Sequence, residues 1–505
     1  MKRYGYRLGA LLLCLTLLLS GCAAKETPAV QITLPPAEAP KAVPLNDDMQ
    51  TGSRTVFFYL PSQDGIRLTA VPATAELTVS RHSAQTLSQL LLSYEGGEGV
   101  MPLPAEAVLS ETAAVEVSGN VVTVNLAASA LRLSHEELFT VGQALANTLC
   151  QMDEVQYVNV LVNHVQPGLD VAGTVPAGCF RENTRDDLNT LWSRAAAGKN
   201  AQRLTAAATL YFPAAGARGV VCEAQEMAFT DLTPSGMMNT LLEALHAGPR
   251  TLQGLPAYPD FSQFLVEAPY VAEVNGTRRA VLRFDAGFNG AIIERGITRS
   301  VMVASLVYTL TTFLPGVDGV EMYIGDEKIT SLTPSGTYTG AGETIQFEDG
   351  LMQRNDFSAF LLSSCHLYFA DEKGMLRDVT RTVPFYESRN VRRIINQLSR
   401  GSQPYDSTEN LYSVMPEGFR DADLIGVAFD RDTLILNFSR QLVTLCEKMD
   451  ADAEKRMVYS LVNSLCHLEG VKKVQILVEG TQPDSLAGHL YLPGVFLPNP
   501  DMVTW

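Results

Sequence analysis

The chain has 505 residues, 38 Lys and Arg against 55 Asp and Glu, and a formal charge of −17. Its length suits about three domains. Its acidity excludes nucleic acid and anionic lipid as principal partners, because phosphate recognition needs clustered Lys and Arg.

At the N-terminus, Lys2, Arg3 and Arg7 precede the apolar run "LGALLLCLTLLL", and "LSGC" closes it. These are the three parts of a secretory signal, and the run is too short to read as a membrane span. Leu19-Ser20-Gly21-Cys22 resembles the lipobox of bacterial lipoproteins. By that resemblance residues 1–21 are a lipoprotein signal peptide, and Cys22 takes a diacylglyceryl thioether and becomes the mature N-terminus. The alternative is an ordinary cysteine near a signal-peptidase cut. Without the three leader cations, residues 22–505 carry −20. Residues 22–53 are Pro-, Ala- and polar-rich with no repeated apolar face, which reads as a disordered tether.

Beyond the tether one unit recurs three times. Each copy opens with an aromatic-rich strand, "TVFFYLP" (55–61), "ATLYFPA" (208–214) or "CHLYFAD" (365–371), with Tyr59, Tyr211 and Tyr368 aligned. A helix follows with apolar residues at i, i+3, i+4 and i+7: Leu87, Leu90, Leu91 and Tyr94 in the first copy. Met238, Leu241, Leu242 and Leu245 repeat the pattern, as do Val391, Ile394, Ile395 and Leu398. A hairpin comes next, turning at Gly119-Asn120, at Asn275-Gly276 and near Asp430-Asp432; Asn-Gly tolerates the positive φ that tight hairpins require. The hairpins alternate apolar and polar residues, which predicts one buried face and makes Thr123 and Asn125 outward residues. A longer helix then carries Val141, Leu145, Leu149 and Met152, or Val303, Val307, Thr311 and Leu314, or Met457, Leu461, Leu465 and Leu468. Ser134 with Glu137 forms a capping box at the first of these. A final strand has period two: Val158, Val160, Val162; Val320, Met322, Ile324; Val474, Ile476, Val478.

The helix end and last strand match without a gap between "NTLCQMDEVQYVNVLVN" (147–163) and "NSLCHLEGVKKVQILVE" (463–479), and more loosely in "TLTTFLPGVDGVEMYIG" (309–325). Such a period indicates tandem domains and not a solenoid, whose repeats run about 20–50 residues. The expected fold is α+β: three small domains, each strand-helix-hairpin-helix-strand with two helices packed on one sheet. Their expected bounds are 54–178, 206–336 and 365–493. A helical linker spans 179–205, a second linker 337–364, and a tail 494–505.

This unit resembles the GerM-type domain family of sporulation and germination lipoproteins. The pieces that carry the resemblance are "LLEALHAGP" (241–249) and "RFD" (283–285) in copy two, and "LNFS" (436–439) and "VQILVEGTQPDSLAGH" (474–489) in copy three. Copy one contributes "AVP" (70–72), "LP" (103–104) and "VNLAAS" (124–129). The resemblance covers residues 54 to about 493. It implies a lipid-anchored extracytoplasmic protein at the outer face of the cytoplasmic membrane, built from modules similar to those that form rings. It brings no catalytic constellation with it. Copy three departs from the pattern after its first helix, with "LSRGSQPYD" in place of the Gly-Pro.

A search for chemistry finds no GxSxG elbow, Walker loop or HExxH motif. The best metal candidate, Cys446, Cys466, His467 and His489, is disfavoured because Cys466 shares its repeat position with Cys150, where a free Cys acts as a small hydrophobe. Cys365 and His366 project to opposite sides of a strand. Asp186-Asp187, Asp421/Asp423 and Asp430/Asp432 read as solvated loop charge. The expectation is therefore a non-enzyme with no cofactor and no metal site, and with Cys22 as its functional residue. It binds cell-envelope or sporulation proteins or associates with itself, reaches the membrane through its lipid, and binds no nucleic acid. The alternative is an envelope ligand-binding or cell-wall-acting protein with a site at a domain junction.

Overall fold

A long hairpin opens each copy in the computed structural model, which describes residues 51–78, 82–152, 155–169, 175–196, 203–214, 216, 218–334, 342–385, 387–404, 406 and 410–504. In copy one, β1 (Thr51–Pro61) pairs antiparallel with β2 (Leu68–Thr78). Helix α1 (Ser83–Leu92) leads to β3 (Val115–Ser118) and β4 (Val121–Leu126), and α2 (His135–Leu149) crosses over to β5 (Tyr157–Val162). β4 pairs with β3 antiparallel and with β5 parallel. A short helix, α3 (Leu188–Ala196), follows.

Copy two repeats the plan with β6 (Leu204–Pro213), β7 (Val220–Phe229), α4 (Pro234–Ala247), β8 (Tyr270–Val274), β9 (Thr277–Phe284), a short α5 (Gly287–Glu294), α6 (Arg299–Phe313) and β10 (Gly319–Ile324). A two-residue strand β11 (Glu327–Lys328) extends its sheet to the order β11-β10-β9-β8, and β12 (Ser331–Leu332) pairs with β13 (Ile345–Gln346). Copy three has β14 (Leu362–Ala370), β15 (Leu376–Pro384), α7 (Val391–Ser399), β16 (Leu424–Asp430), β17 (Thr433–Phe438), α8 (Arg440–Cys446), α9 (Ala451–Leu465) and β18 (Lys473–Val478). The C-terminal β19 (Val503–Thr504) adds to β15 in parallel.

The α+β class and the triple repeat are as the pattern requires. The structure adds a strand to each copy: β2, β7 and β15 complete the opening hairpins. Their sequences "LTAVPATAELT", "VVCEAQEMAF" and "LRDVTRTVP" mix in Ala, Glu, Asp and Pro, residues that are depleted in strands. The long helices start where their caps dictate. Ser134 and Glu137 bond each other's backbone in a capping box, Thr298 accepts from Val301 N–H, and Asp450 accepts from Ala453 N–H. Their predicted stripes are buried, Val141, Val303 and Met457 completely.

The recurring phrase does more than fill core. Tyr59, Tyr211 and Tyr368 each donate a backbone N–H to a helix hydroxyl, Thr148, Thr309 or Ser464, at 3.1 Å in all three cases. Ser460 Oγ returns a bond to Tyr368 O at 2.6 Å, and Ser305 does the same to Tyr211. The helix thereby closes the open edge of the opening strand, whose backbone groups would otherwise lack partners. This places Thr309 opposite Thr148 and Ser464, one position from the ungapped alignment, because copy two has one more residue before its last strand.

The preceding position holds down whatever follows each copy. Asn147 exchanges two bonds with the backbone of Asn183, Nδ2 to O at 3.0 Å and N–H to Oδ1 at 2.8 Å. Asn463 clasps Asn499 in the same way. Copy two has Tyr308 there, stacked on Tyr211 at 4.8 Å between ring centres. Arg354, from the segment after copy two, lies 4.3 Å from the centre of the Tyr308 ring.

Two cores result. One contiguous apolar cluster runs from Val56 to Leu361 through copies one and two, and a second, from Cys365 to Leu492, belongs to copy three. The stretch expected as the second linker supplies buried Arg354, Phe357 and Phe360 to the first. Thr123 and Asn125, expected to face outward, are only 3% and 1% exposed. The second face of their sheet is covered by β7 and by the polar group around Arg354, and Asn125 Oδ1 accepts His164 N–H at 2.8 Å.

Candidate functional site

Cys22, the expected lipid attachment point, lies outside the described residues, as does the rest of the leader. The four residues weighed for metal do not form one group. Cys446 is buried with its sulfur 3.8 Å from that of Met457, and Cys466 is half-buried at the end of α9. Burial pushes both thiols up to about 12, so neither is a ready thiolate ligand. His489 lies in a loop gathered around Glu454, whose carboxylate accepts from the amides of Leu486, Ala487, His489 and Leu490 and from Ser485 Oγ, at 2.7–3.0 Å. Burial alone would raise the Glu454 pKa, but these bonds outweigh it and hold it below its usual range. All six described cysteines are free. Among the carboxylates read as solvated, Asp423 is buried and accepts Arg420 N–H at 2.8 Å and Ser439 Oγ at 3.2 Å, closing a loop.

A different cluster forms on the outer face of the copy-three opening hairpin. Strand alternation sends Cys365 into the main core of copy three and puts His366 and Tyr368 on the other face, where Tyr368 is buried in a small separate cluster. Asp378 stands directly across from Tyr368 on β15. His467, just past the end of α9, lays its ring on His366 with centroids 4.1 Å apart and planes at 10°. His366 Nδ1 is 3.0 Å from Asp378 Oδ1, and the Tyr368 hydroxyl is 3.0 Å from His467 Nε2. Burial, then Asp378, pushes the Tyr368 phenol up to about 12, so it stays protonated at neutral pH. Copy one holds Phe57 and Gln151 at the two histidine positions. There Gln151 accepts Phe57 N–H at 3.0 Å and donates to Phe57 O at 2.6 Å. The sequence places His366 and His467 far apart, and only the packing of α9 on β14 joins them.

A polar seam joins copies one and two and touches Leu362, the first residue of β14 in copy three. Ser118 Oγ accepts Cys222 N–H at 3.0 Å and donates to Leu362 O. The wholly buried Arg354 guanidinium pairs with Glu116, bonds Thr312, and donates to the Tyr211 hydroxyl at 2.8 Å. Beside the seam is a cleft of about 350 Å³ lined by Phe139, Phe180, Leu191 and Glu226 among others. Glu226 is its one described carboxylate and pairs with Arg181 at 2.7 Å.

The model of the Germane family, described as "Sporulation and spore germination", matches residues 55–166, 209–330 and 366–484. The chain belongs to the Germane family. Each match begins inside the opening strand of one copy and ends beyond the last strand of its three-stranded core, so the Germane unit is the repeat itself. Similar solved structures include the tandem GerMN domains of the sporulation protein GerM from Bacillus subtilis, at 18% identity, covering 59% of this chain and 99% of that one, with a TM-score of 0.24. A putative lipoprotein from Clostridium perfringens matches at 18% identity over 27% of this chain and 87% of its own, with a TM-score of 0.19. No curated protein matches. No described helix is long and apolar enough to cross a membrane.

The three Germane units differ at the outer strand of the second hairpin. β3 is buried along its whole length and joined to copy two through Ser118. β8, its counterpart, ends the sheet of copy two, and Tyr270, Glu273 and Val274 on it are exposed.

Proposed function

We propose that this is a non-enzymatic protein of the cell envelope, anchored through a lipid on Cys22 at the outer face of the cytoplasmic membrane. It binds partner proteins or further copies of itself through its repeated α/β domains during sporulation or germination. The β8 edge carries this reading. An exposed strand at the end of a sheet offers unpaired N–H and C=O groups to another chain, and Tyr270 and Val274 give it apolar contacts. Confinement to a membrane lets several such weak contacts act together.

The test uses the full chain in detergent, its Cys22→Ala form, and a Tyr270→Lys/Val274→Lys variant. Sedimentation should show association that the lysines abolish without lowering the unfolding temperature. Cys22→Ala should move the protein from the membrane to the soluble extracytoplasmic fraction. A monomer that captures no envelope protein, yet cleaves a glycan and stops when one carboxylate is changed, would establish the cell-wall-acting alternative.

A further inference from the structure

We propose that His366, Asp378 and His467 in copy three form a binding site for a divalent transition-metal ion of the zinc type. The inference is independent of the proposed function. One ligand atom from each residue lies within 4.8 Å of the other two. An ion at the centre of such a triangle is at most about 2.8 Å from each atom, against the roughly 2.0–2.2 Å of zinc bonds to imidazole and carboxylate. Closing the gap takes a shift of less than about 1 Å per ligand and a fanning of two rings that now lie parallel. His467 and Asp378 are exposed, so both can move without disturbing the core.

The donor set points to the class of ion. Two imidazoles with one carboxylate suit zinc, nickel or copper, whereas calcium and magnesium prefer sites made wholly of oxygen. Three protein ligands leave a fourth position for water or for a group from a partner. Tyr368 is the positioning residue: its hydroxyl sits 3.0 Å from His467 Nε2 and restrains that ring.

Comparison of the copies explains why packing alone does not account for these residues. Gln151 and Phe57 occupy the two histidine positions of copy one and close the strand edge without any metal-ligating group. In copy three the same two positions carry imidazoles, His366 beside Asp378 and His467 beside Tyr368.

The experiment is calorimetric titration of the untagged full chain in detergent with Zn²⁺, repeated with Ni²⁺. One ion per chain is expected, together with a rise in the unfolding temperature of copy three. His467→Ala and Asp378→Asn should each weaken binding at least tenfold while leaving the metal-free unfolding temperature in place. Tyr368→Phe should weaken it about tenfold, as loss of a group that orients a ligand typically does. His489→Ala serves as the control and should change nothing. Binding that survives His467→Ala and Asp378→Asn unchanged, or no binding of either ion at tens of micromolar, overturns the proposal. Should His467→Ala lower the metal-free stability, the Asp378→Asn titration alone decides.

Discussion

Copies one and two share a core and copy three has its own, although all three follow one plan. The placement of the buried arginines shows why. In the first pair Arg354, from beyond copy two, reaches Glu116 of copy one and Tyr211 and Thr312 of copy two. In copy three Arg381 pairs with Asp406 and bonds Gln397 and Gly401, all within the same copy. A buried charge needs partners wherever they come from. The lesson is that duplication repeats the domain, while a few buried polar groups tie particular domains together.

The sharpest way to break this comparison is to remove the arginines one at a time. Arg354→Ala leaves Glu116 buried without its partner and should cost about 3–5 kcal/mol. In a calorimetric scan it should lower one transition, that of copies one and two together, and leave a second, that of copy three, in place. Arg381→Ala should do the reverse. Equal displacement of every transition by either change would show that the two cores are not separate.

Glu454 sharpens the contrast from the copy-three side. Glu454→Gln removes the charge that gathers residues 485–490 and should cost about 1.5–3 kcal/mol, confined to the copy-three transition. The folded carboxylate titrates below its usual range, so its contribution is complete above about pH 4.3, the unfolded value, and is lost as pH falls through the folded one. The variant should therefore lose its disadvantage in acid, and a denaturation series from pH 7 to pH 3 checks this.

Gly119 tests the seam between the first two copies. Its φ is +53°, and a Cβ there would clash with the carbonyl oxygen of Cys222. Gly119→Ala should cost about 1–3 kcal/mol through overpacking. A variant with an unchanged first transition would mean that β7 does not lie against the hairpin turn.

Much of this architecture is legible in local sequence. The period-two valines of β5, the turn at Asn275-Gly276 and the helix stripes through Val141, Val303 and Met457 each depend on neighbours a few residues away. What escapes is long-range. β2, β7 and β15 lack a strong alternating pattern of their own and are strands because β1, β6 and β14 pair with them. Thr123 and Asn125 follow the expected alternation, yet β7 of copy two and the His164 loop of their own copy cover that face. The meeting of His366 with His467, and of Arg354 with Glu116, depends on packing between distant elements. Only the repeat offered a signal: Asn147 and Asn463 recur in two copies while copy two has no Asn at that point of the phrase, which marks a divergent local role.

The smallest predicted effect concerns what all three copies share. Thr148→Val, Thr309→Val and Ser464→Ala each remove the hydroxyl that receives the N–H of the opening-strand tyrosine. The donors of Tyr211 and Tyr368 are buried, so after Thr309→Val or Ser464→Ala they have no water to turn to, and each loss should be about 1 kcal/mol. The bond of Tyr59 is only partly buried, and Thr148→Val should therefore cost less, roughly 0.5 kcal/mol. Denaturation midpoints give the losses, and amide exchange at the three tyrosines shows where protection goes. Equal losses at the three positions, or unchanged protection at Tyr211 and Tyr368, would mean that the helix hydroxyls do not close the strand edge. The expected order ties the repeated phrase to a backbone requirement that every copy must meet.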